Sequence, residues 1–350
     1  MNSTIKKLAL KIPDVKRIYE ELTFLRNLNL KTGISGLEED NCLKFKDNVN
    51  PPSKKMNLLK SFEDLDRFIE ICAKKGQAGL SLNEQRAFWG SYQLDHQSFI
   101  ALFGKLPPSE SDPFSEAYSS WVMSFFEFVS GKKYSFDSEG NISNDKMDKP
   151  LAVTFDFDYR MWHMRVYTDF VKIVRPQYGT RVLEMGCGFG HLVAFMERLG
   201  CEVTALDASK SMLNFINKKY VSEQNVKVNL IHGSYYDIED YEGYFDVIVF
   251  ESSFHHCGEP VRLLEILRKK LSQNGRLFFL NEPILSSYDA PWGIRYDGES
   301  IMQIRKNGWL ELGYRLDFFE ELLSRTGFHK MKTHTLHDGG VFLFETSSIS

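Results

Sequence analysis

Apolar positions recur in two rhythms along this chain, and the change falls near residue 150. In "SFEDLDRFIEICAKKG" Leu65, Phe68, Ile69 and Cys72 lie at helical spacing, with Ser61 placed to cap the start and Gly76 to end it. "SLNEQRAFWGSYQLDHQSFIALFG" repeats the signature: Ser81 and Glu84 are spaced as a capping box and Gly104 closes it, so a second helix is predicted. "DPFSEAYSSWVMSFFEFVSG" predicts a third helix, strongly aromatic on one side. The polar, turn-rich "KKYSFDSEGNISNDKMDKP" follows. It is the expected boundary between an N-terminal helical accessory domain, 1–150, and a second domain, 151–350.

From residue 180 short apolar runs alternate with amphipathic ones. "RVLEM", "EVTAL", "VKVNLI", "FDVIVF" and "GRLFFL" read as strands. Helices are expected over 190–199, in "SKSMLNFINKKY" and in "PVRLLEILRKKL". A last helix, "DFFEELLSRT", precedes two strands near 328–334 and 341–345. The alternation predicts an α/β fold with a mostly parallel sheet and helices on both faces. The terminal strand pair, with no long helix between its members, predicts an antiparallel edge. Upstream, Trp162, Val166 and Phe170 follow the i, i+4, i+8 spacing of a helix packed on that sheet, which leaves His163 and Arg165 as ligand-facing candidates.

Composition narrows the function classes. A chain of 350 residues with 43% hydrophobic content is ample for a packed core. A net charge of −4 gives no reason to expect a nucleic-acid partner. Five cysteines without a C-x-x-C pair argue against a disulfide framework or a structural zinc. No apolar run is long enough for a signal peptide or a membrane helix, so the expected location is the cytoplasm.

The chemistry gathers around "RVLEMGCGFGH". A strand leads into glycines and a helix leaves them, the place where open α/β sheets bind ligands. Gly186, Gly188 and Gly190 are spaced G-x-G-x-G, and the third glycine of the dinucleotide pattern falls on His191. A nicotinamide-dependent oxidoreductase is therefore disfavoured. Glu184, two residues before the glycines, would repel a pyrophosphate and attract an ammonium. S-adenosylmethionine carries an ammonium and a sulfonium and no phosphate. Asp207, closing "VTALDAS", can accept both hydroxyls of a ribose.

"VLEMGCGFG", "VTALDAS", "FDVIVFESSFHHC" and "LSQNGRLFFL", in that order, resemble motifs of class I S-adenosylmethionine-dependent methyltransferases, over about residues 155–345. The resemblance implies a Rossmann-like, seven-stranded sheet with a reversed C-terminal hairpin. It implies that Glu184, Gly186, Gly188 and Gly190, with Cys187 between them, line the methionine part of the cofactor. Asp207 would hold the ribose, and Ala208 and Met212 would border the adenosine; Glu251, after the fourth strand, is a further cofactor-binding candidate that could also orient a histidine, bind substrate or act as a base. Where many members have an acid for the adenine amino group this chain has Ser234, so Ser234 or Tyr235 is expected to substitute.

Methyl transfer to a hydroxyl usually needs a base. "FESSFHHCGEP" follows the fourth strand, and His255 or His256 is the expected base, with Glu282 after the fifth strand as a further catalytic candidate. The acids do not form the dense cluster a divalent metal would need, so no metal is expected. A lid-like insertion, 286–316, follows the fifth strand. Its aromatic and charged residues suit a polar, hydroxyl-bearing ligand, with Trp292 and Arg295, and His163 upstream, as substrate candidates. "ESSFHHC", "PWGIRYDGES" and "GWLELGY" are similar to methyltransferases of bacterial polysaccharide or secondary-metabolite assembly, which implies O-methylation of a sugar or related small metabolite. An N-methyltransferase acting on an amine or protein side chain and a non-catalytic scaffold are the alternatives. A homodimer is an open expectation.

Overall fold

A computed structural model describes residues 56–77, 82–107, 112–140, 157–336 and 342–348. Its centre is a seven-stranded sheet in the order β11-β12-β7-β6-β3-β4-β5. The strands are β3 (Arg181–Met185), β4 (Glu202–Asp207), β5 (Val228–His232), β6 (Phe245–Glu251), β7 (Leu271–Leu280), β11 (Lys332–Thr335) and β12 (Phe342–Ser347). The strands from β3 to β7 pair in parallel, while β12 runs antiparallel to β7 and β11 antiparallel to β12. This is the expected α/β sheet with its reversed hairpin.

Both faces of the sheet are covered, so its strands carry nearly continuous apolar runs. Alternate residues part to opposite sides. Leu183, Met185, Ile248, Phe250, Leu277 and Phe279 enter one core cluster. Val182, Val203, Val247, Val249, Phe278 and Leu280 enter another, under the helix Phe157–Val174. Val166 and Phe170 of that helix are buried there, as their spacing predicts.

The first cluster also contains the N-terminal helices. Phe68, Phe99, Val122, Phe125 and Phe126 are buried together with Leu183, Phe250 and Phe279 of the sheet. Ser61 caps the helix Phe62–Gln77 by accepting the amide of Asp64. The proposed cap at Ser81 lies outside the described residues. The second expected helix is broken instead. Helix Leu82–Trp89 turns at Gly90 and Ser91 into β2 (Tyr92–Leu94), which pairs in parallel with β1 (Asn57–Leu59). Asp95 then caps the helix His96–Phe103, which ends at Gly104 in the left-handed conformation. A polar residue with a good capping carboxylate stopped a continuous helical pattern there. The third helix, Glu116–Ser130, starts at Ser115 and ends at Gly131.

The insertion forms β8 (Ile284–Leu285), β9 (Trp292–Ile294), the helix Gly298–Asn307 and β10 (Leu312–Arg315), with the strands in the order β8-β10-β9. It holds the N-terminal helices. Tyr118 donates to the Trp292 carbonyl at 2.8 Å, Leu94 N–H to the Tyr296 carbonyl at 2.8 Å, and Arg305 binds Asp66 and the Val129 carbonyl. All described residues belong to one compact unit. The expected boundary near residue 150 falls in a stretch outside the described residues. Among the described residues no helix is long and apolar enough to cross a membrane.

Candidate active site

The turn after β3 is shaped by two requirements that only glycine meets. Gly186 has φ +72°, and a Cβ there would stand 2.7 Å from Ser253 Cβ and 2.8 Å from the Tyr235 hydroxyl. Gly188 has φ +50° with open space where its Cβ would be, and its N–H donates to Asp207 Oδ2 at 2.8 Å. A ligand can therefore approach the backbone at Gly188. The helix His191–Arg198 begins immediately beyond.

Three acids converge beside this turn with few partners. Glu184 is buried, and its Oε2 has no hydrogen-bond partner. Burial, then the neighbouring Glu251 and Asp207, pushes its carboxyl well above the ordinary range. Burial raises Glu251 to about 7, against a hydrogen bond from Tyr167. His163 Nε2 stands 3.7 Å from the other oxygen of Glu251. Asp207 accepts the amides of Gly188 and Ser209, one on each oxygen, so each oxygen keeps a lone pair for a hydroxyl. An unpaired buried carboxylate among other carboxylates is a site for a cation. The ammonium and sulfonium of S-adenosylmethionine would meet that need, and its ribose hydroxyls would suit the free lone pairs of Asp207. The residues present fit the cofactor.

Gly186, Gly188, Asp207, Ala208 and Met212 line one cavity, and Ser234 and Tyr235 continue its wall. The Ser234 amide is taken by Asp237 Oδ2 at 2.7 Å, and Tyr235 donates to the Ser253 carbonyl at 2.8 Å. Asp237 is therefore a cap for the short turn that follows β5. Cys187 departs from its expected role. Its side chain is buried in the core with Leu192 and Val193, and only its backbone belongs to the turn. Two non-glycine residues, Ser252 and Asn281, adopt positive φ at the ends of β6 and β7, and Asn281 Nδ2 donates to Ser252 Oγ at 2.6 Å. Such backbone strain gathers where a site must be shaped.

Beyond β6 the two histidines separate into different environments. His255 is buried, with Nδ1 2.8 Å from Glu282 Oε2 and Nε2 3.7 Å from Glu311 Oε2. Glu282 also accepts the amides of Ser253, Phe254 and His255. Burial alone would raise the Glu282 carboxyl, but His255 and these amides hold it below the ordinary value. So committed to the turn Phe254–His256, Glu282 shapes the loop and has no free oxygen to act as a base. His256 lines the cavity, and its Nδ1 stands 3.2 Å from Glu139 Oε2. The pair is close enough for an ion pair. Burial works to lower the His256 pKa; Glu139 first, then Glu311 and Glu282, outweigh it and raise it to about 9.

The insertion residues divide likewise. Trp292 is buried at 2% exposure with Nε1 donating to the Pro113 carbonyl, so it is a core residue with no face left for a substrate. Arg295 is tied to Asp297 at 3.0 Å and to Glu311 at 3.5 Å. His255, His256 and Glu311 bring donor atoms within 4.8 Å of one another, and Arg295 already supplies positive charge to that group. Sequence reasoning missed several cavity residues: Tyr134, Phe136, Glu139, Tyr236 and Trp309. The first three come from the stretch read as a polar connection, and its polarity serves contacts with the insertion. Trp309 donates to the Ser138 carbonyl and Leu310 N–H to Glu139 Oε1.

A parallel run β5-β4-β3-β6-β7 closed by an antiparallel β12 and β11, with a glycine turn after β3 and an acid ending β4, is the arrangement that the resemblance to class I S-adenosylmethionine-dependent methyltransferases implies. Residues 183–279 match the family model described as a methyltransferase domain. A ubiquinone biosynthesis O-methyltransferase of Xanthomonas oryzae pv. oryzae is 30% identical over 149 residues, 40% of this chain and 62% of that protein. A glycine/sarcosine/dimethylglycine N-methyltransferase of Actinopolyspora halophila is 29% identical over 110 residues, 31% of this chain and 19% of that protein. A glycopeptide N-methyltransferase crystallised with S-adenosylmethionine superposes with a TM-score of 0.43 at 19% identity, covering 53% of this chain and 93% of that one. The chain spans about three fifths of the length of the Xanthomonas relative.

Proposed function

We propose that this chain transfers a methyl group from S-adenosylmethionine to a hydroxyl of a sugar or related small polar metabolite, and that His256 takes the hydroxyl proton. The observation that carries the reading is that His256 lines the same cavity as Gly188 and Asp207. Bound there, the cofactor supplies a methyl group on a sulfonium, open to in-line attack. Glu184 and Glu251 face its positive charge, and Asp207 holds its ribose hydroxyls. Tyr134 and Trp309 give the cavity aromatic walls that suit the apolar face of a sugar and exclude water. His256 is favoured over His255 because His255 is buried between Glu282 and Glu311. Glu282 holds the loop that presents both.

Calorimetric titration of S-adenosylmethionine and S-adenosylhomocysteine into wild type and Asp207→Ala tests the cofactor. Micromolar binding that the variant loses supports the reading. Absent binding in a folded wild-type sample overturns it in favour of a scaffold. Transfer of labelled methyl to a panel of methyl glycosides and amines then tests the acceptor. Glycoside methylation that collapses in His256→Gln is the expected result. Amine methylation indifferent to that substitution identifies an N-methyltransferase.

A further inference from the structure

Glu139 sits at the end of the N-terminal region, in the short helix Phe136–Gly140, yet it reaches the cavity formed by the strand ends. Several contacts hold this segment there. Lys132 donates to the Lys306 carbonyl at 2.8 Å, Trp309 to the Ser138 carbonyl at 2.8 Å, and Leu310 N–H to Glu139 Oε1 at 2.7 Å. At the far end Gly140 presses so near the turn after β4 that a Cβ would stand 2.5 Å from the Ala208 carbonyl oxygen. The segment is thus pinned between the insertion and the cofactor side of the sheet. One oxygen of Glu139 is spent on that anchorage. The other lies 3.2 Å from His256 Nδ1.

We propose that Glu139 is a positioning residue for His256, so that the N-terminal region completes the catalytic site of the methyltransferase domain. The charge of a carboxylate beside Nδ1 favours the proton on that nitrogen, which leaves Nε2 as the atom that exchanges a proton with an acceptor. The inference rests on the reading that His256 serves as base. Glu139 does not act alone on the ring. Glu311 from the insertion, Glu282 after β7, His255 on the same turn and Asp207 at the end of β4 also face it, and Trp309 stands edge-on at 6.2 Å. The anchorage makes Glu139 the one carboxylate among these that a shift of the N-terminal region would withdraw.

Glu139→Gln is the informative variant, because the amide oxygen can still accept from Leu310 N–H while the charge is lost. The experiment is an NMR titration of the His256 imidazole in full-length protein labelled at histidine, with the signal assigned through His256→Gln. The wild-type midpoint is expected near 9. In Glu139→Gln it should fall by more than one pH unit toward 6.5, and Glu139→Asp should recover part of the shift. An unchanged midpoint in Glu139→Gln, with the backbone amide spectrum intact, overturns the positioning role. A purely structural part for Glu139 would alter that spectrum or the thermal midpoint and leave the titration where it was. Cofactor calorimetry on the same samples separates the two ideas. If wild type fails to bind S-adenosylmethionine the proposed function is lost, whereas the titration decides the Glu139–His256 coupling by itself.

Discussion

Glu184, Glu251 and Asp207 place more negative charge beside the glycine turn than the surrounding protein neutralises. Burial disfavours their charged forms, so Glu251, raised to about 7, carries a proton in about half of the molecules at neutral pH, and Glu184 is pushed well above its ordinary value. A cationic ligand favours the ionised forms, so binding must displace those protons. Affinity for S-adenosylmethionine is therefore expected to weaken as the pH falls from 8 to 6, by up to about tenfold per pH unit for each proton released. Calorimetry in buffers of unlike ionisation heat checks this, and a proton count of zero contradicts it. His256 has the opposite sign. Raised to about 9, it is charged at neutral pH and becomes a base only as the pH climbs. The cofactor's positive charge repels the imidazolium and lowers that value. The transfer rate should thus rise with pH and level off below 9, at a lower midpoint than the cofactor-free titration gives.

At the scale of elements, the turn after β3 and the insertion are rigid for different reasons. The turn depends on backbone. Gly186→Ala asks an L-residue to hold φ +72°, about 1–2 kcal/mol unfavourable, and drives a methyl group into Ser253 and Tyr235. Cofactor affinity should drop at least tenfold with a modest loss of thermal stability, and unchanged calorimetry would count against this account. The insertion depends on packing. Trp292 lies in the first core cluster, bonded to Pro113 and Tyr118. Trp292→Ala should cost about 3–5 kcal/mol of stability, read by denaturant unfolding. An acceptor-binding defect with normal stability would instead restore Trp292 to the substrate site.

For the whole molecule, the N-terminal helices and the catalytic sheet share one apolar cluster rather than meeting at a thin polar interface. Phe99, Val122, Phe125 and Phe126 are buried with Leu183, Phe279, Trp292 and Tyr314. A fragment beginning at residue 157 would expose that face of the sheet and the insertion. It is expected to aggregate or to bind a hydrophobic dye strongly, whereas full-length protein does neither. A soluble, cooperatively unfolding fragment would show that the two parts are separable domains. The Arg305–Asp66 pair also joins the parts, but it is exposed on the Asp66 side and so contributes little.

Local order along the chain was enough for the sheet, its reversed edge, the glycine turn and the acids at the strand ends. Each is a strand–turn–helix event within a few residues, and alternation of apolar positions records it. Helix existence was legible too, though the break at Gly90 was not, because β2 is formed by pairing with β1 rather than by its own propensity. What only the tertiary structure decided lies in contacts between distant segments. Glu282 reads as a catalytic acid until three amides and His255 are seen to occupy it. Trp292 reads as a sugar platform until it is found in the core. Glu139 and Tyr134 read as linker residues, although Glu139 joins the insertion at a separation of 171 residues. Periodicity reports which face of an element is buried. It does not report which distant carboxylate will stand beside a given histidine, because that depends on how the finished elements pack.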